Sequence, residues 1–136
     1  MIIGNGIDIV AVERLERLRE RFGGRGLRRL FTEAELEYAL QLATPAPSLA
    51  ARFAAKEAFY KALGTGVGSA GAWVEAEVVR MTNGRPFLLL HGRAAESAAE
   101  RGVTDIHLAL SHTEEFAVAS VILEARGPSA EGRTTQ

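Results

Sequence analysis

Arg52-Phe53-Ala54-Ala55-Lys56-Glu57-Ala58-Phe59-Tyr60-Lys61-Ala62-Leu63-Gly64 reads as the closing turns of an alanine-rich helix stopped by glycine, carrying one acid and three cations. Phe53, Glu57 and Lys61 fall four apart and share a face, with Arg52 and Lys56 beside them. Taken alone, Glu57 and Lys61 are an ordinary solvated pair of ~0.3 kcal/mol. Gly6-Ile7-Asp8-Ile9-Val10 changes that reading. It is a strand whose single carboxylate sits among apolar neighbours, where an unmatched charge is costly. Two hard oxygen ligands, Asp8 and Glu57, with Lys and Arg nearby suit Mg²⁺ holding a polyphosphate, water filling the remaining positions.

The rest of the chain bounds the answer. With 136 residues, 47% hydrophobic and 24% charged, it is the size and composition of one soluble globular domain. A net charge of -1 removes any whole-chain argument for nucleic-acid binding. There are no cysteines, which rules out a disulfide framework, a thiolate zinc site and a cysteine nucleophile, and is compatible with a cytoplasmic setting. Met1 to Gly6 lacks a basic, then apolar, leader pattern, and no apolar run reaches a membrane span, so neither secretion by that route nor a membrane protein is expected.

Working outward from the central helix, residues 2 to 10 alternate as a strand with Asp8 on the face opposite Ile7 and Ile9. Val12, Leu15, Leu18 and Phe22 give an amphipathic helix from Glu13 that Gly23-Gly24 stops. Thr32 and Glu35 form a capping box for a short helix ending near Thr44-Pro45-Ala46-Pro47, after which Ser48 caps the helix from Leu49 to Leu63. A glycine-rich connector, residues 64 to 71, leads to a strand from Trp73 to Met81. Asn83-Gly84 turns that strand into a second from Pro86 to His91. A surface helix, Arg93 to Arg101, precedes a second hairpin of Ile106 to Leu110 and Phe116 to Leu123. The order predicts an α+β fold, an antiparallel sheet packed with helices, in one domain over 1-124. Residues 125-136, rich in Gly, Ser, Thr and charge, read as a disordered tail.

Residues 11 to 30 hold seven Arg and three Glu, a local +4 in a chain of -1. Concentrated in one segment, such a patch points to docking of an acidic partner, since arginine forks grip carboxylates, although on an exposed face it also serves solubility. Other signals are weak. The glycine run lacks the GxxxxGK[ST] pattern of a phosphate loop and is as readily a mobile connector. Ser111-His112-Thr113 is a hairpin tip, and Ser111, His112 and Asp105 lack the strand-turn-helix elbow of a hydrolase triad.

Gly-Ile-Asp-Ile-Val at 6 to 10, Phe-Thr-Glu-Ala-Glu-Leu at 31 to 36, Arg-Phe-Ala-Ala-Lys-Glu-Ala-Phe at 52 to 59, Lys-Ala-Leu-Gly-Thr-Gly at 61 to 66 and Leu-Ser-His-Thr at 110 to 113 occur in this order. Together they resemble the holo-acyl-carrier-protein synthase family of 4'-phosphopantetheinyl transferases, over residues 2 to 124. The resemblance implies transfer of the 4'-phosphopantetheine arm of coenzyme A to a serine of apo acyl carrier protein, leaving 3',5'-ADP, usually for fatty-acid synthesis. It implies Asp8 and Glu57 as Mg²⁺ ligands and Glu57 and Lys61 as catalytic residues. Lys61 and His112, with Arg52 and Lys56 as further candidates, would contact phosphates of coenzyme A beside Gly64 and Gly66. It also implies a homotrimer with sites at the subunit interfaces, and carrier docking on Arg14, Arg21, Arg25 and Arg28. The acceptor of the serine proton stays open between a metal-held water and neutral Lys61.

Three departures from the family pattern bear on substrate detail: Ala109 in place of a hydroxyl residue, Glu75-Ala76-Glu77-Val78 in place of Asp-Ile-Glu-Val, and the added tail. Two other classes compete. A metal-dependent phosphohydrolase or nuclease would use the same carboxylates and lysine without a carrier, and a non-catalytic trimeric module would keep only the basic docking patch.

Overall fold

The long helix expected at 49 to 63 begins four residues earlier, because Pro45 and Pro47 open it instead of ending its predecessor. A helix's first turn has no amide partners to lose, so proline is tolerated there; Thr44 is the N-cap, and Ser48 lies inside. In this computed structural model, residues 1–127 are described. The elements run β1 (Ile2–Ala11), α1 (Val12–Leu30), α2 (Glu33–Leu40), α3 (Pro45–Leu63), β2 (Ala76–Arg80), β3 (Pro86–Leu90), α4 (Gly92–Glu100), β4 (Asp105–His112) and β5 (Phe116–Glu124). The fold is α+β, as expected. Trp73–Glu75, expected as strand, is a 3₁₀ turn, and α1 breaks at Gly23 (φ 59°) but resumes to Leu30 instead of stopping.

Two antiparallel sheets form: three strands in the order β1-β5-β4, and the β2-β3 hairpin turned at Asn83-Gly84. In the larger sheet Asp8 stands opposite Ala119 and Val10 opposite Ala117, and these four are buried. The opposite face of β1 leaves Ile7 66% and Ile9 63% exposed. The core side of the sheet carries α3, buried almost all round, as expected of a helix made of Ala50, Ala51, Ala54, Ala55, Ala58 and Ala62 with Leu49, Phe53, Phe59 and Leu63.

Small residues on both elements let the two backbones touch. A Cβ at Gly6 would lie 2.1 Å from the Ala58 carbonyl oxygen, and one at Gly4 2.2 Å from that of Ala62. Gly6 therefore sets how closely β1, and with it Asp8, lies against α3. Gly6→Ala is expected to push the helix away and to cost about 1–3 kcal/mol in urea unfolding, an overpacking penalty; a variant as stable as the parent would contradict this contact.

Lys56 corrects a sequence expectation. Its side chain is 0% exposed, and its ammonium donates to Glu35 Oε1 at 2.7 Å, the Ala76 carbonyl at 2.9 Å and the Trp73 carbonyl at 3.1 Å. Glu35 completes the capping box by accepting from the Thr32 amide, and its other oxygen accepts from Val78 N–H at 3.0 Å. One buried ion pair thus ties α2, α3 and β2, and Lys56 has no route to a phosphate of coenzyme A. The disordered-tail expectation also begins too early. Ala125 N–H donates to the Met1 carbonyl, and Arg126 pairs with Asp105 at 2.7 Å. The remainder of that segment, from 128 on, lies outside the described residues.

Candidate active site

Close packing of β1 on α3 brings Asp8 to the last turns of the helix, 53 residues away in sequence from Lys61. The Lys61 ammonium donates to Asp8 Oδ1 at 2.5 Å and to the Ile7 carbonyl at 3.3 Å, while the second oxygen of Asp8 is buried without a hydrogen-bond partner. Glu57, one turn earlier on α3, is partly buried on the same side, and Arg14 from α1 approaches it at 4.0 Å while stacking on Phe53. The fold thus sets the Asp8 and Glu57 carboxylates beside one another.

Electrostatics follow from this crowding. Glu57 is pushed up to about 7, first by burial and then by the adjoining Asp8 carboxylate, with Arg14 and Lys61 pulling the other way. Lys61 is raised, chiefly by its hydrogen bond to Asp8, and stays charged, which weighs against a neutral Lys61 as proton acceptor. Two carboxylates side by side, one with a buried unpartnered oxygen, need either a shared proton or a cation between them. Among the described residues no group of three or more His, Cys, Asp or Glu could hold a metal. The donor set is thus two carboxylates, which fits Mg²⁺, an ion that keeps waters and takes ligands from substrate phosphates.

The sign of the pH dependence is fixed by the direction of the Glu57 shift. In the metal-free protein Glu57 holds its proton between its ordinary 4.5 and about 7. Its contribution to stability is therefore greatest at low pH and is lost as pH rises through 7. Because an ion must displace that proton, Mg²⁺ affinity should weaken about tenfold per pH unit below pH 7. Calorimetric Mg²⁺ titrations at several pH values check this; a pH-independent affinity would contradict it.

An open cleft of about 480 Å³ adjoins the pair, lined by Glu57, Tyr60, Lys61, Gly64, Thr65, Gly66, Val67 and Trp73. It gathers Lys61, Gly64 and Gly66. Tyr60, Val67 and Trp73 had no sequence signal beyond their neighbourhood. Arg52 and His112 are elsewhere. With Tyr38, Arg80, Pro86 and Leu110 they line a separate cavity of about 300 Å³. Arg14, Arg21, Arg25 and Arg28 are exposed along α1, Arg21 stacking on Phe22. Arg14 thus belongs both to that basic face and to the acidic pair. Among the described residues no helix is long and apolar enough to cross a membrane.

Comparison with known proteins matches residues 4–121 to the model of the 4'-phosphopantetheinyl transferase superfamily. The chain is 50% identical over 124 residues to a holo-[acyl-carrier-protein] synthase of Koribacter versatilis, covering 91% of this chain and 99% of the relative. It is 49% identical over 125 residues to that of Trichlorobacter lovleyi, covering 92% and 99%. Among solved structures it is similar to the holo-[acyl-carrier-protein] synthase of Neisseria meningitidis, with TM-score 0.84, 35% identity and coverage of 91% of this chain and 99% of that one. It is also similar to the synthase of Bacillus anthracis in complex with CoA (3',5'-ADP), with TM-score 0.77, 37% identity and coverage of 93% and 99%.

Proposed function

Since the chain belongs to the 4'-phosphopantetheinyl transferase superfamily, we propose that the Asp8, Glu57 and Lys61 cluster is where it acts as a holo-[acyl-carrier-protein] synthase. The enzyme transfers the 4'-phosphopantetheine arm of coenzyme A to a serine of apo acyl carrier protein, leaving adenosine 3',5'-bisphosphate. The observation that carries the site is the pair of adjoining carboxylates with the unpartnered Asp8 oxygen beside a charged lysine. Asp8 and Glu57 would hold Mg²⁺, which supplies neutralisation of the pyrophosphate and polarisation of the attacked phosphorus. Lys61, held protonated by Asp8, offsets charge developing on the leaving nucleotide and orients it through directed N–H donors. Gly64 and Gly66, in the same cleft, leave the backbone open to the substrate.

Arg52 and His112 contact a further phosphate of coenzyme A. Because their cavity is separate from the cleft, one substrate reaches both sets of residues when a second copy of the chain contributes Arg52 and His112. That arrangement supports a homotrimer with sites between subunits, and the uncovered Ile7 and Ile9 face of β1 is the apolar surface such an assembly would cover. The exposed Arg14, Arg21, Arg25 and Arg28 receive the acidic carrier. A cytoplasmic role in fatty-acid biosynthesis follows from that substrate pair.

Incubation with coenzyme A, Mg²⁺ and apo acyl carrier protein tests the reading. The expected result is one phosphopantetheine gained per carrier and one adenosine 3',5'-bisphosphate released. Nucleotide release without a carrier, and no carrier mass change, would favour a phosphohydrolase instead.

A further inference from the structure

Tyr38 is 37% exposed at the surface of α2, yet two guanidinium groups converge on its ring. The Arg52 guanidinium carbon lies 4.5 Å from the ring centroid and that of Arg80 5.1 Å. Arg52 is 4% exposed, its Nε has no partner, and its one hydrogen bond, to the Val78 carbonyl, is long at 3.5 Å. Arg80 is anchored by donation to the Gly84 carbonyl at 2.9 Å. Among the described residues neither arginine has a carboxylate within salt-bridge distance. Two cations on one cavity wall, with His112 facing the same space, repel one another. The negative face of one aromatic ring partly offsets that repulsion and fixes the separation of the two forks.

We propose that Tyr38 is a positioning residue for coenzyme A, holding Arg52 and Arg80 as a pair so that Arg80 joins Arg52 and His112 in gripping a phosphate. This rests on the reading of Arg52 and His112 as phosphate contacts. A planar fork matches a phosphate's oxygens two at a time, so two forks at a fixed spacing recognise a dianion that neither would hold alone. Tyr38 adds no charge to the grip; it sets where the forks stand before substrate arrives.

Steady-state carrier loading with coenzyme A varied tests this on Tyr38→Leu, Tyr38→Phe, Arg80→Gln and Arg52→Gln, each with a melting curve. Tyr38→Leu and Arg80→Gln should raise KM for coenzyme A about tenfold, with kcat and melting temperature little changed. Tyr38→Phe, which keeps the ring, should restore the parental KM. If Tyr38→Leu leaves KM unchanged, or if Phe behaves as Leu does, the positioning role is overturned while the transferase reading stands. Parallel losses of kcat and melting temperature in Tyr38→Leu would assign a purely structural role and also overturn it. An unchanged KM in Arg52→Gln would remove the underlying phosphate reading itself.

Discussion

Lys56→Met is expected to cost about 3–5 kcal/mol of stability, because it strips the cation from a fully buried pair and leaves Glu35 charged in the core. Nothing nearby replaces the ammonium: its three acceptors, Glu35 and the Trp73 and Ala76 carbonyls, would all lose a donor together. Adding Glu35→Gln should return part of the loss by removing the stranded charge. The recovery stays partial because one oxygen cannot serve both the Thr32 and Val78 amides. Urea unfolding of the single and double variants measures this. Had Lys56 been a phosphate contact, the single variant would instead keep its stability and raise KM for coenzyme A.

Asp8→Asn should behave in the opposite way, with the fold intact and the chemistry gone. The substitution is isosteric and removes the Asp8 charge, the lesser of the two causes that push Glu57 up, so Glu57 should fall only part of the way while its burial keeps it raised. The Asn side chain keeps an oxygen that accepts from Lys61, and the charge lost from that contact faces a largely exposed ammonium, so little stability goes with it. Carrier loading, by contrast, should fall at least about a hundredfold in kcat/KM if Asp8 is one of the two charged groups that hold the proposed ion. A folded variant with parental kcat/KM would remove Asp8 from the machinery.

How much of this was legible in the sequence depended on range. Local chemistry read well: Thr32 and Glu35 do form the capping box, Asn83-Gly84 turns its hairpin, and Asp8 points away from Ile7 and Ile9. The meeting of Asp8 with the Glu57 and Lys61 turns was visible as a chemical pairing before any contact was known. What sequence spacing hid was partner identity at a distance. Lys56 looked like one more cation beside Glu57, whereas its partner Glu35 lies 21 residues back and had already been explained as a cap. A residue serving two roles leaves no second signal in the pattern. Gly4 and Gly6 were likewise read as strand residues, because a close backbone approach is a property of two elements and is absent from either alone. Pro45 and Pro47 misled for a related reason: proline marks a helix boundary without saying on which side the helix lies.

In the proposed mechanism transfer runs on a divalent ion held by Asp8 and Glu57. Intact mass spectrometry of apo acyl carrier protein, incubated with the metal-stripped enzyme and coenzyme A while Mg²⁺ is titrated in, tests it most directly. No phosphopantetheine should be added without the ion, and loading should be full once Mg²⁺ saturates. Loading at the full rate in excess chelator would contradict it.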